Sequence, residues 1–168
     1  MFTLYKINMK TKQERFRERL LQTSFNQKLT PRREINSLFD ALSDEDLDRL
    51  AQENVYFTIT YSPSAIITLN NIPVLKSMKL VTFDANYLMI YLPEEIVGIL
   101  LHEIGHAFNS DKEGIEAEFA ADNFAAIKGY AKWIVSGLEN GLKHKLPGFD
   151  ASEVKMRIDK LKELRVSQ

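Results

Sequence analysis

The chain has 168 residues, 45% of them hydrophobic and 27% charged, a balance that suits one folded domain with a sizeable core and argues against disorder. A formal net charge of -1 and a pI near 6.3 give no electrostatic ground for nucleic acid as the main partner. No cysteine is present, which excludes disulfides, zinc–thiolate sites and cysteine nucleophiles.

The N-terminal stretch MFTLYKINMKTKQERF lacks the continuous apolar core of a signal peptide. No apolar run approaches the roughly 20 residues that a membrane helix needs. The expectation is a soluble, cytoplasmic protein without membrane insertion. From about Met9 to Asn26 helix formers dominate, with Phe16, Leu20 and Leu21 as an apolar stripe. Thr30-Pro31 reads as an N-cap followed by a proline, opening a helix toward Leu42. Ser43-Asp44-Glu45-Asp46 is a further helix start, acidic in its first turn.

At Val55 the pattern changes. VYFTITYS alternates β-branched and aromatic residues, and Ser62-Pro63-Ser64 signals a turn before AIITL. KLVTF and YLMIYL supply two more candidate strands around the turn Asp84-Ala85-Asn86. Turns this short leave no room for crossovers and predict an antiparallel order.

Pro93-Glu94-Glu95 opens a helix that should run through His106 to about Phe108, broken by Asn109-Ser110-Asp111-Lys112. An alanine-rich helix from about Glu113 to Lys128 follows, ended or interrupted at Gly129. Another spans Ala131 to about Leu142, and after the loop Lys145–Gly148 either Asp150 or Ser152 caps a last helix through Leu164. The reading is a single α+β domain over residues 1–168. Residues 1–52 form a helical part, 53–92 a small, mostly antiparallel sheet, and 93–168 the remaining helices.

One helix carries chemistry. His102-Glu103-Ile104-Gly105-His106 places two imidazoles four residues apart, one turn above each other on the same face. Both can direct a nitrogen at one ion, while Glu103, about 100° around the helix, stands beside the ion without ligating it. This is the H-E-x-x-H arrangement of zinc peptidases, in which the glutamate serves as general base and acid toward a zinc-activated water. Ile96, Ile99, Leu100 and Ile104 anchor the helix in a core where unpartnered polar groups would be costly. Gly105, disfavoured inside a helix, marks the close approach of a neighbouring element or of the metal site.

Two imidazoles leave a zinc site incomplete. A third histidine six residues beyond His106 is ruled out, because Lys112 stands there. On the next helix Glu118 and Asp122 lie four apart on one face, and alanines at 117, 120, 121, 125 and 126 allow a close approach. Glu118 is the favoured third ligand, with Glu113 and Glu116 as rivals. Asp122, one turn on, is placed to accept a hydrogen bond from a ligating histidine.

With both motifs assembled, the chain resembles the gluzincin metallopeptidases, and among them the M48-type family that includes the CAAX prenyl proteases and heat-shock membrane proteases. Glu118-Phe119-Ala120-Ala121-Asp122-Asn123-Phe124-Ala125, then Gly129-Tyr130, matches the second helix of that family and its break. His144, Pro147 and Arg157-Ile158-Asp159-Lys160-Leu161 loosely echo a later histidine–proline and arginine segment. The ImmA/IrrE-type peptidases share the E-x-x-A-[ND]-x-F-A pattern and are a second likeness. Over about Glu94 to Leu161, the resemblance implies a zincin-like domain and a zinc endopeptidase acting on a protein or peptide. It makes His102, His106 and Glu118 zinc ligands, Glu103 the general base and acid, and Asp122 the residue orienting His102. His144, Tyr130 or Arg157 would stabilise the oxyanion. His144 lies between two lysines, the setting of a solvated surface histidine. The alternative function is a non-catalytic regulatory or binding protein that keeps a structural zinc on the same scaffold.

Overall fold

The computed structural model describes residues 10–20, 33–60, 65–72, 76–146 and 149–166. It is α+β, with helices before and after a small sheet. Helix α1 (Lys12–Arg17) is capped by Thr11, whose hydroxyl accepts from the Glu14 N–H while Glu14 reaches back to the Thr11 N–H. It is shorter than the sequence suggests. The Arg19 carbonyl accepts from the Phe57 N–H at 2.8 Å, so the chain leaves the helix to lie along the first strand. Phe16 is fully buried against Phe39 and Phe57. The expected continuation to Asn26 and the Thr30-Pro31 start fall outside the described residues.

Helices α2 (Arg33–Ala41) and α3 (Asp44–Gln52) follow, and Ser43 caps α3 with Asp46 as its reciprocal partner. Strands β1 (Val55–Thr60), β2 (Ala65–Ile72) and β3 (Lys76–Asp84) form one sheet in the order β1-β3-β2. β2 and β3 are antiparallel, but β1 runs parallel to β3, with Phe57 beside Val81 and Ile59 beside Phe83. This corrects the antiparallel expectation. Short turns do not force sequence neighbours to pair: β1 and β2 stand roughly 10 Å apart, two strand spacings, and a few residues at about 3.3 Å each span that gap. The β2–β3 hairpin then returns β3 into the space beside β1.

YLMIYL is not a strand. Tyr87–Ile90 forms a single helical turn, α4. The Asp84 carboxylate accepts from the Asn86 N–H at 2.8 Å and turns the chain out of β3. Tyr87 and Tyr91, four residues apart, then stack edge to face at 5.2 Å, with Phe83 against Tyr87 at 5.7 Å. Aromatic packing decides here over intrinsic strand preference.

Helix α5 (Pro93–Phe108) matches its expected bounds. Proline sits at its first position, and the Glu95 carboxylate accepts from the Leu92 N–H at 2.8 Å. At the other end the Phe108 carbonyl accepts from Arg49 and the Ala107 carbonyl from Lys79, both at 2.6 Å. These cations satisfy the last carbonyls and complement the negative end of the helix. Ile96, Leu100, Leu101 and Ile104 are essentially inaccessible.

Helix α6 (Gly114–Ala125) packs along α5 more extensively than any other helix does. A widened π-type turn (Ala126–Tyr130), with Gly129 at φ 87°, redirects the chain into α7 (Ala131–Lys143). Helix α8 (Ala151–Val166) is started by Asp150, not Ser152, since its carboxylate accepts from the Ser152 and Glu153 N–H groups, each at 3.0 Å. Among the described residues, no helix is long and apolar enough to cross a membrane.

Candidate metal centre

The antiparallel pair α5 and α6 can approach closely because small residues face one another at the crossing. A β-carbon built on Gly105 would lie 2.7 Å from the Ala121 Cα and 3.0 Å from the Phe124 Cβ. Glycine at 105 and alanine at 121 therefore let the two backbones nearly touch. One turn away, this brings the imidazoles of α5 within reach of the carboxylates of α6.

His102, His106 and Glu118 each offer one atom to a common point, and among the described residues they are the one cluster of this kind. The two Nε2 atoms are 3.0 Å apart. Glu118 Oε1 lies 3.2 Å from His106 Nε2, and Glu118 Oε2 lies 3.4 Å from His102 Nε2. Ligands about 2.0–2.2 Å from a tetrahedral ion stand roughly 3.3–3.6 Å from each other, so separations of 3.0–3.4 Å come near those of a zinc-sized site, with each Glu118 oxygen facing a different imidazole. Glu113 and Glu116, the rival ligands, are both exposed.

The tautomer fits as well. His102 Nδ1 lies 2.8 Å from Asp122 Oδ1 and donates to it, which turns the lone pair of Nε2 toward the cluster. Charge balance points the same way. Once the imidazoles are neutral ligands, the carboxylates of Glu103, Glu118 and Asp122 outweigh the single guanidinium of Arg157, and a divalent cation offsets the excess. Without an ion the same excess draws a proton. Burial works against charged His102, but hydrogen bonds to Asp122 and Glu118 overcome it and push its pKa up to about 9. Burial likewise opposes ionised Glu118, yet hydrogen bonds from His102 and His106 hold its carboxyl well below the usual range.

Glu103 is nearly buried, 9% exposed, and close enough to feel the charges of His102, His106 and Glu118. Burial pushes its pKa up, against the pull of the two histidines. Its carboxylate makes no hydrogen bond to another described residue. It stands beside the cluster as a free acceptor.

No family model, curated protein sequence or solved structure matches the chain. The site therefore rests on its own geometry.

Three residues were oxyanion candidates, and the structure separates them. His144 is exposed at the C-terminal end of α7, where its backbone N–H caps the Asn140 carbonyl at 3.0 Å. Tyr130 lines a small cavity with Glu34, Ser37, Pro93, Glu94 and Val97, at the opposite end of α5 from His106. Burial, reinforced by Asp40 and Glu94, raises its pKa. Arg157 alone of the three reaches the cluster. Its Nε and Nη2 donate to Asp122 Oδ2 and Oδ1 at 2.8 and 2.7 Å, and its Nη1 lies 2.6 Å from Glu118 Oε2.

This bracing of the carboxylates is the contribution that the sequence reading missed. A signal was present: Val154, Ile158 and Leu161 form the buried stripe of α8, and Arg157 sits within that stripe. An arginine at helical spacing among core residues calls for a buried carboxylate partner.

Proposed function

We propose that the chain is a zinc-dependent endopeptidase of gluzincin type on a zincin-like domain, with His102, His106 and Glu118 holding the ion. The observation that carries this reading is the convergence of two imidazoles and a carboxylate 3.0–3.4 Å apart, with the buried Glu103, which has no hydrogen-bond partner among the described residues, beside them. Zinc, when bound there, supplies the positive charge that acidifies water and polarises a peptide carbonyl.

The side chains of the site divide the remaining work. Glu103 takes the proton of the attacking water on its carboxylate and delivers it to the leaving amine. Asp122 fixes the His102 ring through Nδ1, so that Nε2 keeps its lone pair for the ion. Arg157 pairs with both Asp122 and Glu118 and offsets part of their charge, which makes their burial less costly. Burial keeps most bulk water away from the Glu103 carboxylate, so its proton exchange with solvent is limited.

A purely structural zinc needs no base beside it, so Glu103 favours catalysis over the regulatory alternative. The experiment is hydrolysis of an unstructured protein such as casein by the zinc-loaded chain and by Glu103→Gln. Loss of a general base costs about 10²–10⁴-fold in rate while zinc content stays level. A folded Glu103→Gln protein as active as the parent would remove the mechanism.

A further inference from the structure

The guanidinium of Arg157 meets two carboxylates at once, and the division of its nitrogens constrains Glu118. Nε and Nη2 grip both oxygens of Asp122, at 2.8 and 2.7 Å. The fork is planar and rigid, so two fixed nitrogens leave the third with one place to be. That place is 2.6 Å from Glu118 Oε2. Oε2 also lies 3.4 Å from His102 Nε2, whereas Oε1, free of Arg157, lies 3.2 Å from His106 Nε2. Arg157 also approaches His102 Nδ1 at 3.4 Å, but that nitrogen donates to Asp122, so no bond forms there.

We propose that Arg157 makes Glu118 a one-oxygen ligand: by pairing its charge with Oε2 at 2.6 Å it leaves Oε1 to the ion. This rests on the metal-site reading above and adds a specific role to it. A glutamate can chelate through both oxygens, and two such oxygens with two imidazoles and a solvent ligand would make the ion five-coordinate. One oxygen leaves a position open, which is what separates a catalytic zinc site from a closed structural one. A cationic nitrogen 2.6 Å away draws charge from Oε2 and makes it the poorer donor. Arg157 is a positioning residue here, since it touches a ligand and neither ion nor substrate. Its own position is set before any ion arrives, by Asp122 and by the burial of Val154, Ile158 and Leu161 on the same helix.

Cobalt(II) reads coordination directly, because it absorbs visible light strongly when four-coordinate and several-fold more weakly when five-coordinate. The probe is cobalt(II) bound to the full chain, to Arg157→Gln and to Arg157→Lys, with folding checked by circular dichroism. The parent should show the intense band. Both variants should lose it several-fold at equal cobalt content, Arg157→Lys included, because a point charge cannot grip Asp122 and Glu118 together. Folded variants that bind cobalt with the parent spectrum overturn the proposal. X-ray absorption of the zinc-loaded parent tests it with no variant, and two glutamate oxygens on the ion would overturn it too. A parent that takes up no cobalt contradicts the metal site itself, a failure distinct from the other two.

Discussion

Gly105 on α5 and Ala121 on α6 are in backbone contact: a β-carbon at 105 would sit 2.7 Å from the Ala121 Cα and 2.9 Å from its carbonyl oxygen. Neither atom can swing aside as a flexible side chain could, so the helices themselves must part. Overpacking of this kind costs about 1–3 kcal/mol. Gly105→Ala should lower the denaturant midpoint accordingly and weaken metal binding, since His102 and His106 would move away from Glu118. Parent-like stability and affinity in Gly105→Ala would show that the close approach is not required.

Asp122 links His102 and Arg157 through one carboxylate. Asp122→Asn keeps the shape but loses the charge that pairs with Arg157 and fixes the His102 tautomer. Loss of such a partner typically costs 10–100-fold in metal affinity. A competition titration against a coloured zinc chelator measures this, and unchanged affinity would remove Asp122 from the site.

Metal removal should also be visible in stability. The cluster crowds like and unlike charges into a buried space, and an ion that binds the folded chain stabilises it by mass action. At a hundredfold excess over its dissociation constant the gain is about 2.7 kcal/mol. Zinc should therefore raise the melting temperature of the chelated parent and leave His106→Ala nearly unmoved, as differential scanning fluorimetry would read out.

Away from the site, Asp46 gives a dependence on pH with a defined sign. It caps α3 through Ser43 and pairs with Lys128 in the turn after α6. Burial opposes its charge, but the hydrogen bonds from Lys128 and Ser43 prevail and hold its pKa below 3.8. A carboxyl depressed on folding stabilises the protein above its unfolded pKa, and that contribution fades as pH falls through the folded value. Asp46→Asn should cost about 0.5–2 kcal/mol at neutral pH, and the gap to the parent should close in acid. Urea melts at neutral pH and near pH 3 make the comparison, and a gap that widens in acid would contradict it.

Parts of this arrangement were legible in the chain because they depend on local periodicity. His102 and His106 at i and i+4 must share a helix face, as must Glu118 and Asp122, and Pro93 with Glu95 marks where α5 begins. The alanines of α6 announced a close crossing, which Gly105 completes. What escaped depends on long-range partners. Strand β1 is parallel to β3 because the β2–β3 hairpin returns β3 between β1 and β2, which no turn length reveals. Tyr87 and Tyr91 look like strand residues until Phe83 and Asp84 recruit them into a helical turn. Arg157 is separated by 35 residues from the aspartate it grips, so its partner could be inferred as a type but not named.

Zinc content measured side by side in the parent and in Glu118→Ala tests the central claim most directly. After purification in zinc-containing buffer and dialysis, elemental analysis of the parent should find about one zinc per chain, and folded Glu118→Ala should retain little. A parent without stoichiometric metal, or a Glu118→Ala protein that holds zinc as firmly as the parent, would contradict a site built from His102, His106 and Glu118.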